Sequence, residues 1–225
     1  MWGVFTLEKI EMKAPRRFTL TDALIVQFDG LLQTLGSPQH LLPSKPAPGR
    51  ALAETVDHDE RQAVADLLRV DHIDQIMSVA LFRGRALSAQ SDAERERLFG
   101  LAAQGFDRIV WIRARLSELQ GSASRLAPLA YVTALASGAV VERIGQDNGR
   151  RVSAAHCGAS EKRLRQQLTT LPTTDERSRV LLKALADHQA QGAYVAADDT
   201  GWRQWLLRAG ARLSSTTTAY LARRF

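Results

Sequence analysis

Apolar residues recur at spacings of three and four along most of the chain, which is the pattern of amphipathic α-helices. No stretch shows the alternation expected of a strand, so the pattern predicts an all-α fold. The predicted helices cover residues 19–35, 58–89, 92–119, 126–141, 150–170, 172–195 and 202–222. Residues 36–52 contain most of the prolines and are predicted to be a connector. We therefore divide the chain into an N-terminal helix with its connector (1–52) and a helical bundle domain (53–225).

Four of the predicted helices have an inner face that the spacing defines residue by residue. The face of 58–89 contains Leu68, His72, Gln75, Val79 and Phe82. The face of 92–119 contains Leu98, Ala102, Gly105, Ile109, Ile112 and Leu116. The faces of the last two contain Cys157, Glu161, Leu164 and Leu168, and Leu181, Leu185, His188 and Gln191. Gln75 precedes Gly105 by thirty residues and Cys157 precedes His188 by thirty-one, which fits two helical hairpins with arms of similar length.

The ends of these helices are marked by local signals. Ser91 and Glu94 form the pattern of a capping box, so a helix is predicted to restart near residue 92. The stretch from Gly145 to Gly149 predicts a break. Pro172 is placed at or near the first turn of the helix that follows it.

Composition and charge narrow the function classes. The chain has 225 residues, of which 45% are hydrophobic, and its net charge is +6. The charge is dispersed and no zinc-finger spacing or nucleic-acid-binding motif is present, so we expect no nucleic-acid partner. The single cysteine excludes an internal disulfide, and the N-terminus does not resemble a secretory signal, so a cytoplasmic location is expected. The apolar stretch 126–141 is too short to span a bilayer but suits a buried or membrane-surface helix.

Several segments together resemble a known family. They are LLRVDH (67–72), ALFRGRALSAQ (80–90), WIRARLSEL (111–119), SRLAPLAY (124–131), LTTLPTTDERSR (168–179) and STTTAYL (215–221). The set resembles the demethoxyubiquinone hydroxylases, which are ferritin-like di-iron monooxygenases of ubiquinone biosynthesis, over roughly residues 19–221. The resemblance implies a ferritin-like four-helix bundle with additional N- and C-terminal helices.

The resemblance also implies where the metal ligands of the family fall in this chain. A di-iron bundle takes one Glu from each of two helices and a Glu-x-x-His pair from each of the other two. The six corresponding residues are Gln75, Gly105, Arg108, Cys157, His188 and Gln191. None is a carboxylate, and Arg108 has no acceptor and keeps its proton. We therefore expect neither metal nor cofactor. Because a buried, isolated cation is costly, we expect Arg108 either to pair with a carboxylate such as Asp74, Asp107 or Glu161 or to extend outward to solvent.

A rebuilt metal site is the alternative. Metal-capable side chains are present at His72, His156, Cys157, Asp187 and His188. Only Cys157 and His188 are expected to converge, and two ligands do not make a site. The simpler interpretation is that His188 is a hydrogen-bonded core histidine and that Cys157 is a small buried filler.

The leading hypothesis is a catalytically degenerate member of the family. It would act in ubiquinone biosynthesis as a quinone- or lipid-binding, scaffold or regulatory protein, with prenylated quinone or lipid, the bacterial inner-membrane surface and other ubiquinone-biosynthesis proteins as partners. An active hydroxylase with an unrecognised metal arrangement and a helical protein outside quinone biology are the rivals. Trp202 and Trp205 on the last predicted helix suit a lipid interface or a docked terminal helix. A homo-oligomer is left open.

Overall fold

The described part of the chain is entirely helical. The computed structural model describes residues 45–49 and 57–193, and this part contains no strand. Its five helices are α1 (His58–Ser88), α2 (Asp92–Glu118), α3 (Ala127–Ile144), α4 (Gln146–Thr170) and α5 (Glu176–Ala193). The prediction of an all-α fold is confirmed, and the arrangement is compatible with a ferritin-like bundle. The predicted helices at 19–35 and 202–222 lie outside the described residues.

Helix α1 is the centre of the bundle. It packs against α2, α3 and α4, while α4 packs against α5 and α3. One apolar cluster joins α1 and α2 to α4 and α5, with Leu68, Ile112, Leu164 and Leu185 among its fully buried members. A second cluster joins α1 and α2 to α3 around Ile76 and Tyr131. The first cluster takes Val64, Ala65 and Leu68 from the early turns of α1, and the second takes Ile76, Val79 and Ala80 from later turns, so this helix contributes to both cores.

Side-chain caps fix where several helices begin. The Asp57 carboxylate accepts from the backbone N–H of His58 at 2.7 Å, and the Ser91 hydroxyl accepts from that of Glu94 at 3.2 Å. The second contact confirms the predicted N-cap of α2. Helix α5 is different, because the Asp175 carboxylate accepts from the N–H of Ser178 at 2.9 Å and the helix begins only after this cap. Pro172 therefore lies before α5, and the predicted start of this helix at residue 172 was four residues too early.

Helix α4 begins four residues earlier than its periodicity predicted. It starts at Gln146, directly after Gly145, so the break is limited to Gly145 and does not extend to Gly149. Gly149 lies inside the helix, and the packing around it explains why this residue is a glycine. A Cβ there would come within 2.6 Å of Arg85 Nε and would overlap the Glu142 carboxylate. A buried ion pair thus takes the space that a side chain at position 149 would need.

Helices α1 and α3 cross with their backbones in contact. A Cβ at Gly84 would overlap the carbonyl oxygen of Leu135, and a Cβ at Gly138 would overlap that of Leu81. The two glycines therefore set the distance between these helices. Since α3 is held this close, its opposite side faces outward.

The predicted inner faces agree with the structure for α1 and α2 but only in part for α5. All six predicted residues of α2 are buried, and on α1 only Phe82 is less than fully buried. On α5, Leu181 and Leu185 are buried, whereas His188 and Gln191 are exposed. The inward prediction for these two was wrong because Leu182, Leu185, Ala186 and Gln189 define the buried stripe of this helix.

The connector touches the bundle. The Trp111 indole N–H donates to the carbonyl oxygen of Lys45 at 2.8 Å, and Ala47 packs against the larger apolar cluster. The predicted boundary between residues 52 and 53 lies outside the described residues, so the division into two units stays a prediction.

Candidate functional site

Two of the six predicted ligand positions meet directly in the interior. Gln75 of α1 is fully buried and Arg108 of α2 is 8% exposed. The Nε–H of Arg108 donates to Gln75 Oε1 at 2.8 Å. A guanidinium only donates, so the amide oxygen must face it and the amide Nε2 must point elsewhere. That Nε2 is buried and has no hydrogen-bond partner in the part of the chain that the structure describes.

Arg108 points inward as expected, but the expected carboxylate partner is not found. No ion pair joins Arg108 to a carboxylate among the described residues. Asp74 is taken by Arg163 at 3.0 Å and Glu161 by Arg165 at 2.8 Å, so neither is the predicted partner. Burial lowers the pKa of Arg108, while Cys157, Asp107 and Asp74 act in the opposite direction. The guanidinium remains charged at ordinary pH, because its unperturbed pKa is so high.

Arg108 differs in this respect from the other buried arginines that the structure describes. Arg85 pairs with Glu142 at 2.8 Å, and both side chains are almost completely buried. Arg115 pairs with the equally buried Asp175 at 2.8 Å. Both cations therefore have a counter-ion in the core, as buried charges normally do. Arg108 has a neutral amide in its place.

Gly105 and Cys157 complete the interior part of the site. A Cβ at Gly105 would lie 2.5 Å from Val79 Cγ2 and 3.4 Å from Arg108 Nη2, so no larger residue fits without movement. Cys157 is buried, and burial together with Asp74 raises the pKa of its thiol to about 11. The thiol is thus neutral at physiological pH and is a poor metal ligand or nucleophile. Its predicted description as a small buried filler agrees with this position.

His188 and Gln191 lie at the edge of the site and not within it. Both are exposed, although Arg108 is close enough to lower the pKa of His188 together with partial burial. A Cβ at the neighbouring Gly192 would approach Cys157 Sγ to 2.8 Å. The prediction that His188 is a core histidine was therefore wrong.

A polar cluster next to Gln75 was not foreseen from the sequence. Asp74 accepts from Ser160 Oγ at 2.6 Å and pairs with Arg163, while Asp71 accepts from Gln167 Nε2 at 3.3 Å. Burial raises the pKa of Asp71 to about 6. Burial would do the same to Asp74, but Arg163 and His156 hold the pKa of that carboxyl below its ordinary value. The available signal was the spacing of the two aspartates on α1 opposite Ser160, Arg163 and Gln167 on α4.

His156 and Ser78 extend this cluster without forming a catalytic triad. His156 Nε2 lies 2.8 Å from Ser78 Oγ and 3.8 Å from Asp74 Oδ1. A triad needs the acid on one ring nitrogen and the nucleophile on the other. Here both neighbours face the same nitrogen, so the arrangement does not activate the serine.

His72 is the most isolated polar side chain of the core. It is 1% exposed, and within residues 45–49 and 57–193 neither ring nitrogen has a hydrogen-bond partner. Burial and, to a lesser extent, Arg113 lower the pKa of His72 to about 3. The imidazole is therefore neutral in the folded protein.

The donor set does not fit a di-iron centre. Two metal cations need anionic oxygen ligands and imidazoles. The interior positions instead provide an amide, a guanidinium and a neutral thiol, with a glycine that has no side chain. In residues 57–193 no group of three or more His, Cys, Asp or Glu side chains is arranged to hold a metal ion.

The outer face of α3 is apolar. Four of its large side chains are well exposed: Leu129, Val132, Val140 and Ile144. The exposed fraction of Ile144 reaches 70%. Among the described helices, none combines the length and apolar character needed to cross a membrane.

Comparison with known proteins identifies relatives along most of the chain. A 3-demethoxyubiquinol 3-hydroxylase of Bordetella avium is 32% identical over 177 residues, which is 79% of this chain and 81% of the relative. The enzyme of the same name from Dechloromonas aromatica is 32% identical over 176 residues, 78% of this chain and 84% of the relative. One from Cupriavidus metallidurans is 30% identical over 209 residues, 88% of this chain and 99% of the relative. No protein-family model matches the chain.

Proposed function

Because the chain belongs to the family of the 3-demethoxyubiquinol 3-hydroxylases, we propose that it is a member without a di-iron centre. It acts in ubiquinone biosynthesis by binding a prenylated quinone or lipid, as a scaffold or regulatory protein, and not by hydroxylation. The observation that carries this proposal is the 2.8 Å contact between Arg108 and Gln75 at two of the predicted ligand positions.

Electrostatics explains why this contact opposes metal binding. A guanidinium is a permanent cation, and two iron ions beside it would add further positive charge in a region of low dielectric. At 4 Å two unit charges interact by about 4 kcal/mol even at an effective dielectric constant of 20. The lost carboxylates would normally offset this repulsion. Metal binding is therefore disfavoured by two effects, the loss of the anionic ligands and the repulsion from the Arg108 guanidinium.

Iron reconstitution tests the proposal. The purified chain should take up far less than two irons, whereas the Bordetella avium relative treated identically provides the positive control. Stoichiometric iron with a di-ferric absorption band would instead support an active hydroxylase with another metal arrangement. Cells that lack the hydroxylase should also continue to accumulate the demethoxy intermediate when they are given this gene, and restored ubiquinone would contradict the proposal.

The proposal includes a peripheral position at the cytoplasmic face of the bacterial inner membrane. The exposed apolar side chains of α3 and the net charge of +6 support it, because apolar surface and basic charge both favour anionic bilayers. The full-length protein should float with anionic liposomes at low salt. Combined Val132→Ser and Val140→Ser substitutions should weaken flotation, whereas Thr133→Ser on the same exposed face provides a matched control. Equal flotation of all three proteins would exclude this face from membrane contact.

Partner proteins are part of the same proposal. A regulatory or scaffold role requires contact with other ubiquinone-biosynthesis proteins, and a second copy of the chain is the other candidate. Affinity purification from the native cell, with lipid extraction of the eluate, tests both together with the quinone. If the eluate contains neither a prenylated quinone nor a quinone-pathway protein, the result contradicts the proposal and supports the rival hypothesis of a helical protein outside quinone biology.

A further inference from the structure

Arg108 and Gln75 together present N–H donors, beyond the one that joins them, for which the described residues supply no acceptor. The guanidinium uses only its Nε–H within the described residues, and the buried Nε2 of Gln75 has no partner. Both groups lie at one place, since the oxygen of the same carboxamide accepts from Arg108. An unsatisfied buried donor and a buried cation without an anion are each costly.

From this geometry we infer that the protein binds an anionic oxygen ligand, a carboxylate or phenolate, beside the Arg108–Gln75 hydrogen bond, at the remaining guanidinium N–H groups of Arg108 and the Nε2 of Gln75. The ligand oxygen takes the position of the missing counter-ion and accepts from both donors. Charge-assisted hydrogen bonds of this kind are among the strongest in proteins, and Arg is well suited to planar oxygen anions. A cation is disfavoured at the same place, because the Arg108 guanidinium is itself positively charged.

The neighbouring residues do not supply this anion. Cys157 keeps its proton, because burial and Asp74 raise the pKa of its thiol to about 11. Asp74 is engaged by Arg163 and Ser160. Arg85 and Arg115 are equally buried but each has a carboxylate within 2.8 Å, so neither leaves a position for an external anion.

The same chemistry has two sources. A small carboxylate in solution and the ionised ring hydroxyl of a quinol both present an anionic oxygen on a planar group. The inference goes beyond the proposed function and does not depend on it, because a carboxylate that binds here without any quinol would leave the anion site intact.

Binding assays with two probes separate these sources. The full-length protein is titrated with sodium benzoate and, separately, with sodium 4-nitrophenolate, each against sodium chloride at equal ionic strength and pH. The midpoint of thermal unfolding should rise in a saturable manner with at least one probe. A benzoate-only response indicates a carboxylate ligand and removes support for quinol binding, whereas a response to the phenolate indicates a ring oxygen.

Variants locate the site. Arg108→Met should weaken the affinity for the active probe at least tenfold, and Arg165→Gln should leave it unchanged, because Arg165 is exposed and pairs with Glu161. Gln75→Glu places a carboxylate against Arg108, so it should raise the midpoint without ligand and abolish the response. These two opposite changes at one position distinguish an anion site from general salt effects.

A spectroscopic measurement on the wild-type chain keeps the inference testable if a variant does not fold. The 15N-labelled Arg108 Nε–H signal should shift during titration with the active probe, while that of Arg85 should stay in place. No response to either probe, or an unchanged affinity in Arg108→Met, would overturn the inference.

Discussion

Replacing Arg108 by methionine should leave the fold almost as stable as before, whereas the same change at Arg115 should be severe. Both arginines are buried on α2 and lie seven residues apart. Arg115 donates to Asp175 at 2.8 Å and to Ser178 Oγ at 2.9 Å. Among the described residues, Arg108 donates only to the neutral Gln75. The pair of substitutions thus compares a compensated with an uncompensated cation within one helix.

The magnitudes follow from what each substitution leaves behind. Arg115→Met leaves the fully buried Asp175 without its cation, and breaking such a pair costs roughly 3–5 kcal/mol. Arg108→Met loses a hydrogen bond worth roughly 1.5–3 kcal/mol. It also removes the desolvation penalty of an unpaired charge, which is on the order of several kcal/mol. The two terms nearly cancel, so the free energy of unfolding should stay within about 1.5 kcal/mol of the wild-type value or rise.

Urea unfolding followed by circular dichroism measures both changes. The buffer should contain chloride and no carboxylate, because a bound anion would stabilise the wild type selectively. The Arg115 variant should fall at least about 2 kcal/mol below the Arg108 variant, a gap set by the burial of Asp175. Equal destabilisation by the two substitutions would refute the reasoning and would mean that Arg108 has a counter-ion within the protein.

Two further predictions concern packing and pH. Gly84→Ala should destabilise the protein by about 1–3 kcal/mol or more, because the new Cβ overlaps the carbonyl oxygen of Leu135. Gly100→Ala is the control: its Cβ meets open space on a helix, so it should stabilise the protein by up to about 1 kcal/mol. Equal effects of the two substitutions in thermal unfolding would contradict the close crossing of α1 and α3. Burial raises the pKa of Asp71 to about 6 in the folded protein, so the stability that this carboxyl contributes is lost as pH rises from about 4 to 6. Burial lowers the pKa of His72 to about 3, so the folded protein loses stability at this residue as pH falls below the ordinary histidine pKa of 6.5. Relative to wild type, His72→Leu should therefore reduce the loss of stability by about 1–3 kcal/mol as pH falls from 6 to 4, whereas Asp71→Asn should increase that loss. Identical pH profiles of both variants and wild type in urea unfolding would exclude these assignments.

The helices were predictable because their signals are local. The Ser91 cap and the inner face of α2 follow from spacing and from one side-chain oxygen, and neither depends on a distant residue. The start of α4 was missed because the side chains that pack against Gly149 come from Arg85 and Glu142 on other helices. Local patterns locate a helix, but its ends also depend on what packs against them.

The direction of α5 shows the limit of spacing arguments. Leu181, Leu185, His188 and Gln191 form an acceptable helical stripe, but Leu182, Ala186 and Gln189 form another one about one residue away. Burial of Leu182 and Leu185 together selects the second stripe. The resemblance to a ligand-bearing helix favoured the first, and the tertiary packing decided against it.

The interior site was predictable in its residues but not in its contacts. Arg108 can turn inward because Gly105 has no side chain. A Cβ at Gly105 would lie 2.5 Å from Val79 Cγ2 and 3.4 Å from Arg108 Nη2. That Asp74 is unavailable depends on Arg163 and Ser160, which are almost ninety residues away in sequence. A partner at that separation cannot be deduced from periodicity.

The substitutions at the interior positions depend on one another, so a metal site cannot be regained by one change. Gln75→Glu alone provides a carboxylate that Arg108 neutralises at 2.8 Å. Glutamate at position 105 meets Val79 before it reaches the centre, and histidine at position 108 alone leaves a single imidazole without carboxylates. Each restoring step is therefore either neutralised, sterically blocked or ineffective until the others are made. Such coupling is expected in a close-packed core, where a change at one position alters the space and the charge that its neighbours meet.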